Sequence, residues 1–300
     1  MAERNIKFRY FGVVRQRKNG HHWQGVGSLD FDEWMGKIED AGLLRAIIEL
    51  PDTKAQIERV AYYENDNIWG LHLLKLREDN LPSIAGENRD AECVPLGDDE
   101  YIGEDLFMLY DNANGICMVQ INRFSLGIKR LQELLSYVWN VENERVVLKP
   151  IAENVNDRFR DRRKCKSIEV SFANLDRELG DEGNSLGRIM NSYRRFNGVA
   201  GYIKIGLGRT RNTTLNLDEV NEFINDARNE ASVVGMKLKV KDDDDSPVEV
   251  IDLFENICNS VIPFNIERKT VLQFEYAVQR MLECYRRRRE QLIELIMPER

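Results

Sequence analysis

The densest run of side chains able to do chemistry is Asp98-Asp99-Glu100-Tyr101-Ile102-Gly103-Glu104-Asp105, followed by Leu109-Tyr110-Asp111. Carboxylate oxygens are hard ligands suited to Mg²⁺ or Ca²⁺. A two-metal nuclease gathers several of them around ions about 4 Å apart. Glu104, Asp105 and Asp111 are the candidates for such a site, and Mg²⁺ is the cofactor it would need; every other reading needs none. A lysine or histidine at fixed spacing is missing. Gln120-Ile121-Asn122-Arg123 follows the next strand, where a nuclease would carry an acid and a lysine. The same carboxylates also read as an acidic edge that engages a protein.

Gln120, Asn122, Arg123 and Ser125 fall where a strand gives way to a helix. Polar groups at such a junction bind an anion or ligand, or satisfy the loop's own backbone. Gly206-Leu207-Gly208-Arg209 follows a strand, but the next helix begins only near Leu217, so a phosphate-cradling loop lacks its helix N-terminus. Asp242–Asp245 lacks the glycine and distal glutamate of an EF-hand and reads as a solvated turn. Arg17 and His22 have the R-x4-H spacing of helical ribonucleases, yet a Lys18-Asn19-Gly20 turn separates them and strands flank it. With only His21, His22 and His72, a histidine-rich metal centre or a Ser-His-Asp triad is disfavoured.

The basic clusters lie later. Arg158, Arg160, Arg162, Arg163, Lys164 and Lys166 are opposed only by Asp157 and Asp161, and Arg194-Arg195, Arg209, Arg211 and Arg286 to Arg289 follow. The functional reading is one phosphate-binding face; the other is solvated helix and loop charge. Four consecutive arginines on a helix rotate by about 100° each and cannot share one groove. Residues 1–152 hold 18 bases and 25 acids, residues 153–300 hold 25 and 26, and residues 64–111 alone hold 13 acids and 3 bases. With a net charge of −8, a uniformly basic nucleic-acid coat is excluded.

These groups need a scaffold, and hydrophobic patterning supplies it. Ile6 to Val14 alternates as a strand, and turns at Asn65-Asp66-Asn67 and Asp111 to Gly115 predict hairpins. Helices are expected near Phe31 to Ile38 and from Ser125 to Trp139, with a polar loop at Leu81 to Asp90. After a boundary near residue 152, strand and helix alternate through Ser167–Phe172, Ser185–Phe196, Val199–Leu207, Leu217–Val233 and Gly235–Lys241. A long helix from about Glu267 to Ile296 closes the chain. The expectation is an α/β (α+β) protein: an antiparallel strand-rich domain over 1–152, then a smaller α/β sandwich over 153–300.

Val271, Phe274, Val278, Met281 and Tyr285 form a heptad-like seam on that last helix, continued by Arg288, Leu292 and Leu295. It packs on the chain's own sheet or forms a homodimer contact. Five scattered cysteines, Cys93, Cys117, Cys165, Cys258 and Cys284, without CxxC pairing fit reduced thiols. The N-terminus has no apolar signal region and no stretch suits a membrane span, so a cytoplasmic location is expected.

The pattern Ile68-Trp69-Gly70-Leu71-His72, Lys75-Leu76-Arg77, Leu81-Pro82, Ile102-Gly103-Glu104-Asp105, Leu109-Tyr110-Asp111 and Met118 to Leu126 resembles uncharacterised bacterial families of similar length. Some of their members lie in anti-phage defence islands. A looser similarity is to the DNA-binding soluble component of the Kiwa defence system. No catalytic motif comes with the resemblance. It implies a non-enzymatic intracellular recognition factor that binds nucleic acid, a phage-linked protein, or both. A metal-dependent nuclease and a protein-only adaptor are the alternatives.

Overall fold

The computed structural model describes residues 2–20, 22–79, 81–152, 164–173, 185–196, 198, 200–208, 213–229, 233–242, 246–253 and 257–296. In chain order the elements are β1 (Ala2–Asn19), β2 (His22–Ser28), α1 (Phe31–Asp40), β3 (Ile47–Leu50), β4 (Thr53–Tyr63), β5 (Ile68–Arg77), β6 (Ser83–Gly86) and β7 (Arg89–Cys93). There follow β8 (Ile102–Asp111), β9 (Ile116–Gln120), α2 (Ile128–Trp139), β10 (Glu144–Pro150), β11 (Lys164–Ala173), α3 (Ser185–Arg195), β12 (Ala200–Gly206) and α4 (Leu217–Asn229). Last come β13 (Val233–Lys241), β14 (Glu249–Asp252), β15 (Asn259–Ile266) and α5 (Phe274–Ile296). The fold is mixed α+β with antiparallel sheets, as the patterning predicts. Its two units are each discontinuous: Met1–Arg9, Ser28–Val146 and Ser260–Arg288 in the first, Tyr10–Gly27, Val147–Asn259 and Arg289–Arg300 in the second.

In the first unit, β9, β8, β5, β4 and β3 lie side by side in that order beyond β1. Consecutive strands pair as hairpins because their turns suit the bend. At the β8–β9 turn, Asp111 Oδ1 accepts from the backbone N–H groups of Ala113 and Asn114, and Gly115 takes a φ of 63° that disfavours a side chain. Leu106 to Asp111 and Ile116 to Gln120 are buried at every position. Unbroken burial means that both faces are covered. On one face α1 stacks Phe31 on Tyr110 at 4.7 Å, and α2 accepts the Trp34 indole N–H at Leu135 O at 3.0 Å. Asp30 caps α1 by accepting from Asp32 and Glu33 N–H.

The opposite face carries α5. Gly70 leaves room for it: a Cβ there would lie 3.1 Å from Val278. Phe274 stacks towards His72 at 6.4 Å, and the buried Tyr285 hydroxyl donates to Asp111 Oδ2 at 2.8 Å. Phe274, Val278, Met281 and Tyr285 are all buried in the chain itself. The homodimer assignment for these residues is therefore corrected: the seam is intramolecular. Val271 lies before the first turn of α5 and is exposed, so it belongs to no helical seam. Two further boundaries shift. α2 starts at Ile128 after an Asn122–Ser125 turn, and the stretch read as a polar loop contains the exposed hairpin β6–β7.

In the second unit, β11 to β14 form a sheet in the order β12-β11-β13-β14 with antiparallel neighbours. α3 and α4 cover one face, burying Ile168, Val170, Phe172, Met190, Phe223, Met236 and Leu238 together. This is the small sandwich that the alternation of strands and helices predicts. Gly201 is required there, because a Cβ would meet the Phe172 ring at 2.4 Å.

Candidate nucleic-acid interface

The carboxylates proposed for a metal nuclease do not converge. Glu104 accepts from Arg77 Nη1 at 2.8 Å, and Asp105 pairs with His72 Nε2 at 2.8 Å. Asp111 is committed to the β8–β9 turn and to Tyr285. Asp105 and Asp111 are six residues apart on one strand, about 20 Å at a strand's rise. Among the described residues, no group of three or more His, Cys, Asp or Glu side chains is placed to hold a metal. The sequence reading missed the His72–Asp105 pair because β5–β8 register creates it: Leu74 faces Asp105, and His72 is its diagonal neighbour.

The junction after β9 divides by role. Gln120 Oε1 accepts from Phe107 N–H, Asn122 Nδ2 donates to Asp105 O at 3.3 Å, and Ser125 Oγ donates to Glu104 O at 2.9 Å. These three serve backbone groups, which is one of the two roles that the sequence leaves open. Asn122 Oδ1 also accepts from Phe124 N–H. Arg123 differs: its guanidinium lies 4.4 Å from the ring centre of Phe124, itself half exposed.

Of the basic residues, Arg158, Arg160, Arg162, Arg163, Arg209 and Arg211 lie outside the described residues, as does the side chain of Arg194. Lys164 is at the start of β11, Lys166 Nζ donates to Thr213 O at 2.7 Å, and Arg195 is exposed at the end of α3. Arg286 is occupied by Asp66, and Arg287 Nε bonds the carbonyl of Glu283.

A different group of residues faces solvent together. Side chains alternate across a strand, so the face of the β11–β14 sheet away from α3 and α4 carries the odd positions of β11 from Ser167 and of β13 from Gly235, and even positions of β12 and β14; bulges place Cys165 and Val233 in the covered core instead. Register sets Lys204, Glu169, Lys237 and Asp252 in one row, with Tyr202 beside Ser171 and Gly235 in the next. Lys239 and Val250 complete the other flank. Tyr202 is 52% exposed. Lys204 and Lys239 share Glu169 at 3.0 and 3.5 Å, and Lys237 reaches Asp252 at 3.2 Å. The Lys204 ammonium, with Tyr202 and Lys239 adding to it, holds Glu169 below the ordinary carboxylate range. Lys204, Lys237 and Lys239 against Glu169 and Asp252 leave this part of the face net positive, with small Ser171 and Gly235 next to Tyr202. None of these residues is singled out by clustering in sequence. The signal that marks them is alternation: Tyr202, Lys204 and Lys237, Lys239, Lys241 each recur every second residue.

The chain is thus a two-unit α+β protein with helices on both faces of one sheet and, among the described residues, with α3 and α4 on one face of the other. A model described as a family of unknown function (DUF6731) matches residues 1–292, so the chain belongs to that family. No curated protein matches it. No described helix is long and apolar enough to cross a membrane.

Proposed function

We propose that the protein is a non-enzymatic recognition factor that binds single-stranded nucleic acid on the open face of the β11–β14 sheet. The observation that carries this is the half-exposed Tyr202 beside Lys204, Lys237 and Lys239 on the sheet face opposite α3 and α4. An exposed aromatic offers a stacking platform to any unpaired base. Lysines around it neutralise the backbone and release counterions. Single strands are the target because duplex bases hide their faces. The Arg158, Arg160, Arg162 and Arg163 cluster joins this proposal as a source of further phosphate contacts, and its joint removal weakens binding uniformly across sequences. The setting we propose is the cytoplasm; the role in bacterial anti-phage defence is supported by the sequence resemblance alone.

The test is anisotropy of labelled single-stranded and duplex oligonucleotides with the full chain across a salt series, with and without Mg²⁺. Single strands bind more tightly, log affinity falls linearly with log salt, and Lys237→Gln with Lys239→Gln flattens that slope by about 1–2 units. No binding at low salt overturns the proposal. Mg²⁺-dependent cleavage overturns its non-enzymatic part.

A further inference from the structure

The first unit contains a cleft of about 580 Å³, within the size range of small-molecule sites. It lies where the ends of β4 and β5 meet the β3–β4 turn and the Arg123-Phe124 loop. Four of its lining residues are cations, and they are not equivalent. Lys54 donates to Glu78 at 2.9 Å, and Arg77 is held by Glu104. Lys75 and Arg123 have no carboxylate partner among the described residues, although Lys75 stands opposite Glu104 in the β5–β8 register. Glu104 is drawn to Arg77 instead. A half-buried lysine and an exposed arginine lining one cleft, neither paired with a carboxylate among the described residues, offer an anion charge-assisted hydrogen bonds.

The second feature is aromatic. Phe124 is 50% exposed at the cleft and carries the Arg123 guanidinium over its ring. Its loop is not free to collapse, because Asn122 and Ser125 tie it to the carbonyls of Asp105 and Glu104. Cation and ring are therefore positioned in advance, which lowers the ordering cost of binding. The third feature is Asp79, a lining carboxylate without an ion pair among the described residues. A carboxylate at the edge of a nucleotide site accepts from ribose hydroxyls.

We infer that this cleft binds a nucleoside phosphate, with phosphate on Lys75 and Arg123, the base against Phe124 and the sugar hydroxyls near Asp79. The site belongs to the first unit and does not rest on the sheet-face reading. The same chemistry is offered by a free nucleotide or by the 5′-phosphorylated end of a strand.

Equilibrium dialysis of the full chain with ADP, GDP, CDP and UDP tests it, with adenosine and inorganic phosphate as the two halves. At least one diphosphate binds saturably, and each half alone binds at least about tenfold more weakly. Arg123→Ala and Lys75→Met each weaken binding about tenfold or more, and Phe124→Ala weakens it severalfold. Tyr202→Ala leaves it unchanged, which separates this site from the sheet face. Competition by a 5′-phosphorylated but not a 5′-hydroxyl dinucleotide assigns the strand end as the source. Competition by neither leaves the free nucleotide. Absence of saturable binding at 1 mM of all four diphosphates overturns the inference. So does binding unaffected by Arg123→Ala, an exposed-loop substitution whose thermal unfolding serves as the folding control.

Discussion

The sheet of the first unit and the sheet of the second meet water differently, and the difference underlies the two surfaces proposed for binding. Around β5 and β8, α1 packs on one face and α5 on the other, so polar groups on these strands are drawn into fixed pairs such as Tyr285–Asp111 and His72–Asp105. What remains accessible is at the strand ends, where Lys75 and Arg123 line a cleft. Around β11, α3 and α4 cover one face, and the other carries Tyr202 and three lysines in register. A sheet covered twice binds at its rim; a sheet covered once can bind across its face. The contrast is visible in burial along single strands: β9 is buried throughout, whereas β13 alternates.

The largest expected effect breaks the covered side of the second sheet. Gly201→Val drives a branched side chain into Phe172 and Tyr193, whose atoms lie 2.4 and 2.7 Å from the Cβ position. Urea unfolding of the full chain then shows a loss of about 3 kcal/mol or more. Unchanged stability contradicts the assignment of that face. Next in size is Tyr285→Phe, which removes the donor to buried Asp111 while leaving the ring in place. A hydrogen bond to a charged acceptor is worth about 1.5–3 kcal/mol, and the variant loses stability in that range. A change below about 0.5 kcal/mol means that α5 is not anchored there.

The smallest effect concerns pH on the open face. Glu169 titrates below the ordinary carboxylate range because Lys204 pairs with its charged form. A carboxylate lowered in the folded state contributes stability above its unfolded value, near 4.3, and loses it as pH falls through the lower folded value. Wild type therefore loses this contribution below about pH 4.3, whereas Glu169→Gln lacks that part of the acid response. Thermal melts between pH 6 and pH 3 compare the two. Identical acid sensitivity removes Glu169 as the organiser of the lysines.

Much of the scaffold was legible because it is local. The Asp111–Gly115 turn, the Asp30 cap and the strand-helix alternation after residue 164 each announce themselves within a few residues. What the sequence concealed is long-range. The seam on α5 carries the same spacing whether it meets a second copy or the chain's own β5 and β8; only Gly70 and Asp111, far away in sequence, decide between them. Likewise, Glu104, Asp105 and Asp111 look like one cluster when read by type, yet strand geometry separates them and gives each its own partner. The open-face lysines were hidden for the opposite reason. Runs of adjacent arginines draw attention, but a strand presents one face only through every second residue.

The most direct test exchanges the ring at position 202 while leaving the lysines alone. Binding of a labelled single-stranded oligonucleotide is measured at fixed low salt for the wild type, Tyr202→Phe and Tyr202→Ala, with stability within about 0.5 kcal/mol across the three. Tyr202→Phe keeps most of the affinity, because stacking needs the ring, and Tyr202→Ala loses about 1–3 kcal/mol. Equal affinity for all three proteins contradicts binding on the open sheet face.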